Sequence, residues 1–152
     1  MTTDLSPPLA LARRLRRVNR PMVAALTATA LIRPLFSVTG LSDALGRSVT
    51  ALVLTAVIAL TWILAVGLTR VPEPLLTLVL VGAAYALAVI VGSAVLSPLL
   101  DGELRGPAAK PFAIVPLFVV NGVWGAFCGV CAMGVRRLRR AAGEGGRSAE
   151  GG

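Results

Sequence analysis

The stretch Leu31–Gly40, LIRPLFSVTG, sets an arginine beside a proline inside an apolar run. A guanidinium there can bind an anion or donate to carbonyl groups, and the proline leaves the carbonyl of Ala30 without its helical donor. Three other groupings have types and spacing that bear on chemistry. Asn121 is the one strongly polar side chain in PFAIVPLFVVNGVWGAFCGVCAMG, where an amide can bond a neighbouring helix or a ligand. Cys128 and Cys131 form C-G-V-C, the spacing of a dithiol redox pair. Arg13, Arg14, Arg16, Arg17 and Arg20 precede the first apolar run, and Arg136, Arg137, Arg139 and Arg140 follow the last, where they can contact phosphate groups.

Most other chemistry lacks its residues. The chain has no histidine, and none of its seven carboxylates falls inside a well-defined apolar run, so a membrane proton relay has no carrier. No paired acids, metal-ligand cluster, phosphate-cradling glycine loop or nucleophile–base set can be assembled. We therefore assign no catalytic residue, no metal site and no cofactor, and expect no enzyme activity. The C-G-V-C pair lies toward the cytoplasmic end of its run and has no second cysteine pair to exchange with. In a reducing compartment it packs as two small apolar residues.

These groups sit in a chain of 152 residues that is 56% hydrophobic and 14% charged, with a mean hydropathy of +0.83. That is too apolar for an ordinary soluble domain. The apolar residues gather into blocks at approximately 21–40, 48–68, 74–97 and 111–134. Each is long enough to cross a hydrocarbon layer of about 30 Å at about 1.5 Å per helical residue. Pro21, Pro74 and Pro111 stand at block starts, where a helix tolerates proline. The expected fold is an all-α integral membrane protein, a four-helix transmembrane bundle. Fourteen arginines against one lysine, with abundant alanine, valine, leucine and glycine, fit a GC-rich bacterial genome and hence the inner, cytoplasmic membrane.

The net charge of +8 is concentrated in the arginines that flank the blocks. Such charges report orientation and contact with anionic lipid heads; no zinc-finger spacing or aromatic-basic surface points to nucleic acid. Both ends are basic, so the positive-inside rule places both termini in the cytoplasm, which requires an even number of crossings. Residues 1–30 also fit a secretory signal, with a basic start, the apolar MVAALTA and the Ala28-Thr29-Ala30 site, and cleavage there would leave three crossings. Within LALARRLRRVNR, Leu11, Leu15 and Val18 share one face, which describes a basic interfacial helix over 9–20 or a cytoplasmic extension of the first crossing. Residues 1–8 are expected to be disordered, and 135–152 to form a basic, then disordered, cytoplasmic tail.

Depth relates the polar groups. Arg33 lies twelve residues after Pro21, about 18 Å into its crossing, and Asn121 lies ten residues after Pro111, about 15 Å below the outer surface. Both therefore belong to the outer half of the bilayer. The Arg33 face is expected to turn inward, with Asp43, Asp101 or Glu103 as a partner, and Asn121 is a candidate donor to the carbonyl freed by Pro34. Gly125 and Gly129 form G-x-x-x-G, which lets two helices approach closely. Similar small-residue rows are Ala51, Thr55, Ala59 and Ala84, Ala88, Gly92. These point to packing inside the bundle or to a face of a homo-oligomer.

NGVWGAFCG resembles the N-x-x-G-x-F segment of the small dimeric fluoride channels, but its spacing differs by one, it lies in the last helix, and their glycine-arginine segment is absent. The resemblance transfers no activity. The expectation is a structural or accessory subunit that packs against lipid or a larger membrane complex. Its alternative is a small oligomeric channel or carrier with an anion-favouring outer vestibule around Arg33 and Asn121.

Overall fold

A computed structural model describes residues 14–38, 47–103 and 106–150, and among these residues the chain is entirely helix, turn and short connection. Arg13 and Asp43 lie outside the described residues, as do residues 9–13 of the expected interfacial helix and all of the tail before it, while 14–16 are helical. The helices are α1 (Arg20–Ala30), α2 (Ile32–Val38), α3 (Arg47–Leu68), α4 (Pro74–Asp101) and α5 (Ile114–Glu150). Two short 3₁₀ turns, Pro107–Ala109 and Pro111–Ala113, join α4 to α5. Among the described residues three stretches are long and apolar enough to cross a membrane: Ser48–Leu68, Pro74–Leu99 and Pro111–Gly143.

The punctuation is local chemistry. Arg17 and Val18 turn the chain before α1, and Asn19 caps the helix by accepting the Met22 N–H at 3.4 Å. The basic segment is thus separated from the first apolar helix rather than continuous with it. The helix breaks at Leu31, so the expected single helix over 21–40 is two pieces, α1 and α2. Leu31 N–H instead bonds the carbonyls of Thr27 and Ala28, each at 3.2 Å, which tightens the last turn of α1. The missing N–H of Pro34 would have been the helical donor to Ala30, the last residue of α1, and its absence accounts for the interruption.

Two boundaries move outward. α4 runs through Pro98 to Asp101 instead of stopping near 97 and ends on Gly102, whose φ of 69° is the left-handed conformation that favours glycine. The last helix does not end near 134 in a disordered tail but continues to Glu150. Arginine and alanine over 136–142 are strong helix formers, and extending an existing helix avoids the cost of a new nucleus.

The helices pack in the order α1, α4, α5, α3, with the most extensive contact between α4 and α5 and only light contact between α1 and α3 or α3 and α4. The α4–α5 seam is closed by glycine from both sides. A Cβ on Gly82 of α4 would collide with the Asn121 carbonyl, one on Gly125 with the Leu78 carbonyl, and one on Gly129 would stand 2.9 Å from Leu75 Cα. Without side chains the backbones approach directly. The G-x-x-x-G pair therefore packs within the chain. The pair faces Leu78 and Leu75 of α4, and Gly82 of α4 faces Asn121 one turn further along, whereas Gly92 in the row read from sequence faces open space. The core gathers Leu26 and Ala30 of α1, Ala59, Trp62 and Val66 of α3, Leu78 and Val81 of α4, and Cys128 and Ala132 of α5.

Candidate functional site: a polar cavity between the helices

A cavity of about 240 Å³ opens where α3 and α4 do not meet closely, lined by residues of every long helix and of the broken first segment. Arg33 reaches it from α2, Thr55 and Trp62 from α3, Tyr85 from α4, and Asn121 and Trp124 from α5. Arg33 stands on the cavity wall two residues after the break at Leu31. Tyr85 is on the turn of α4 that follows Gly82, so the closest approach of α4 and α5 also fixes the distance between Tyr85 and the Asn121 turn.

The polar atoms here are largely engaged with the protein. The Arg33 guanidinium stands beside the Tyr85 hydroxyl, close enough for the hydroxyl to act as its acceptor. Trp62 Nε1 donates to the Leu26 carbonyl at 3.0 Å, a buried bond joining α3 to α1 across 36 residues. The same carbonyl accepts Thr29 Oγ1 at 2.7 Å. Thr55 Oγ1 donates back to the Ala51 carbonyl at 2.7 Å, as a hydroxyl in an apolar helix commonly does. Asn121 Nδ2 donates to the Leu117 carbonyl of its own helix at 2.8 Å. This amide bond is intrahelical, where depth alone had suggested the Ala30 carbonyl as acceptor; a carbonyl one turn back on the same helix is always within reach. Among the described residues Asn121 Oδ1 accepts no hydrogen bond.

Arg33 and Asn121, related in the sequence only by depth, line one cavity, whereas Pro34 is not among its lining residues. Arg33 remains exposed on its open side. Tyr85 and Trp62 were not singled out from sequence. Each carried a signal: Tyr85 is the single tyrosine of the chain, and a tryptophan in the middle of an apolar helix needs a partner for its N–H. Gly125 and Gly129 lie on the α4 side of α5 below the cavity. Cys128 and Cys131 are free thiols, Cys128 buried and Cys131 partly so, and neither lines the cavity. Among the described residues no group of three or more histidine, cysteine or acidic side chains is placed to hold a metal ion.

The flanking arginines divide by role. Arg136 Nη1 donates to the Val71 carbonyl at 2.6 Å and Arg139 Nη1 to the Leu68 carbonyl at 2.9 Å, tying α5 to the turn after α3. Arg14 lies 3.9 Å from Glu73, at the limit of an ion pair. Arg16, Arg17, Arg137 and Arg140 are exposed. Comparison with protein-family models, curated proteins and solved structures finds no match to this chain.

Proposed function

We propose that this chain is a small multi-pass subunit of the bacterial inner membrane, crossing four times with both termini in the cytoplasm, that packs against lipid and a larger membrane complex. The observation that carries this is how little of its apolar surface the protein covers itself. Within the three apolar windows only 17, 28 and 17% of residues are buried. Whole faces of α3 and α5 present large apolar side chains outward, among them Leu52, Val57 and Leu60 on α3 and Val119, Val123 and Phe127 on α5. Such a surface is stable only in hydrocarbon or against another apolar protein.

The first segment supports a fourth crossing in two ways. From Arg20 to Val38 its two helices and the break between them hold nineteen residues, at most about 28 Å at helical rise. Leu26 and Ala30 also share one core with Trp62 and Leu78, and the Trp62 indole is bonded to Leu26. A segment removed as a signal would have no reason to supply that core. The exposed flanking arginines then stand at the cytoplasmic surface as contacts for anionic heads. Photo-crosslinking groups placed singly at Val57 and Val123 test the proposal in native membranes. One defined membrane protein captured from at least one face supports it; adducts to lipid alone from both faces oppose it.

The cavity favours a second function, a small oligomeric channel or carrier with an anion-favouring outer vestibule. The exposed guanidinium of Arg33 is the group there that would favour an anion. Arg33→Gln separates the two: loss of abundance or assembly belongs to a packing role, and altered anion flux in proteoliposomes with assembly intact belongs to a vestibule.

A further inference from the structure

At the end of the molecule where α3 stops and α5 leaves its apolar stretch, Arg70, Arg136, Arg139 and Arg140 surround a concave space of about 450 Å³ whose floor is the turn after Gly67. Arg136, Arg139 and Arg140 are spaced i, i+3, i+4, so they share one face of α5. Two of the four are clamped: Arg136 by the Val71 carbonyl and Arg139 by the Leu68 carbonyl, groups left open by the end of α3. Each clamp uses one nitrogen of a guanidinium that carries five N–H donors, so both arginines hold a fixed orientation with donors to spare. The end of α3 contributes about half a negative charge, which offsets only a fraction of four cations. Among the residues whose side chains are described, which excludes 144–150 of α5, no carboxylate forms an ion pair with any of the four, and Glu73, the acid of this turn, lies 3.9 Å from Arg14.

Four like charges around one concavity are compensated best by a compact group with several negative oxygens, and planar guanidinium groups bind such oxygens in pairs. We propose that this space is a phosphate-group site, with Arg136 and Arg139 as its fixed wall and Arg70 and Arg140 closing on the ligand. Its place at the ends of α3 and α5, where apolar sequence gives way to charge, makes the headgroup phosphate of an anionic phospholipid the source; free phosphate shares the chemistry. The assignment rests on the reading that these helices cross a bilayer and does not depend on a protein partner.

The test uses the full chain purified in a neutral detergent, with thermal unfolding followed as cardiolipin, phosphatidylglycerol, phosphatidylcholine or inorganic pyrophosphate is added. The anionic lipids raise the melting temperature and phosphatidylcholine does not. Replacing Arg70→Gln with Arg140→Gln, which spares both clamps, weakens the apparent lipid affinity about tenfold or more. Replacing Arg16→Gln with Arg137→Gln removes the same charge from exposed flanking positions outside the cavity and weakens the affinity distinctly less than the cavity pair does. A response to pyrophosphate without lipid, abolished by the first pair, keeps the site and assigns it to a soluble phosphate. Equal weakening by both pairs, or no response to any phosphate-bearing anion beyond that to phosphatidylcholine, overturns the site. Release of the protein from membranes by alkaline carbonate would instead overturn the crossing on which the lipid source rests, leaving the pyrophosphate arm readable.

Discussion

Arg33 and Trp62 show how single polar groups on apolar helices are accommodated by this chain. Each has a partner on another helix: Arg33 reaches the Tyr85 hydroxyl of α4, and Trp62 the Leu26 carbonyl of α1. In hydrocarbon an unpaired donor costs more than the bond gains, so these contacts fix which faces meet. Trp62→Phe keeps the ring and removes the donor, and it is expected to lower stability by about 1 kcal/mol in a detergent unfolding titration. Trp62→Ala, which also empties core volume, is expected to cost about 3 kcal/mol or more. Tyr85→Phe deprives Arg33 of its acceptor while preserving shape. The expected result is a loss of about 1 kcal/mol that is absent when Arg33→Gln is already present, readable as coupling in a double-mutant cycle. Depth counting from Pro21 and Pro111 was enough to put Arg33 and Asn121 at one level. It could not supply the bonding partners, because residues on different helices are related by rotation about their axes, which hydropathy does not encode.

At the scale of helices, the α4–α5 seam is the most constrained feature. Gly82, Gly125 and Gly129 each face the other helix's backbone or its α-carbon, so a side chain at any of them must move main chain rather than a flexible neighbour. Gly125→Val is expected to destabilise the fold by about 2 kcal/mol or more, or to prevent its recovery in monodisperse form. Gly92→Ala and Gly134→Ala meet nothing within 4 Å and are expected to be neutral or stabilising by a few tenths of a kcal/mol through helix propensity. Thermal melts of the three variants in one detergent check the contrast. The G-x-x-x-G spacing was legible in the sequence, as were the bounds of α3 and the prolines Pro74 and Pro111 at or just before the starts of α4 and α5. The matching glycine was not, because Gly82 is isolated and becomes part of a seam only once α4 is rotated against Asn121 and Gly125. The end of α5 was likewise hidden. Hydropathy falls at Arg136, but a helix does not stop where hydropathy falls, and two of the arginines there bond the turn after α3.

For the whole molecule, three helices with the length and composition to cross a membrane, and a fourth, broken segment sharing their core, describe a chain with little interior of its own. Its outward faces on α3 and α5 are where a partner or lipid must lie. The polar groups at its centre are mostly engaged with each other or with the backbone, which suits a part that holds shape. The central proposal is that this shape serves a larger membrane assembly. The most direct measurement is isolation of the full chain, carrying a small C-terminal tag, from native membranes in a mild detergent, followed by native mass spectrometry of the intact particle. The account predicts a complex in which the chain stands in fixed stoichiometry with a larger membrane protein. That complex is expected to dissociate when Val57 and Val123 are replaced by bulky tryptophan, with the isolated chain remaining folded. A homogeneous particle made only of copies of this chain, unchanged by those replacements, would contradict it.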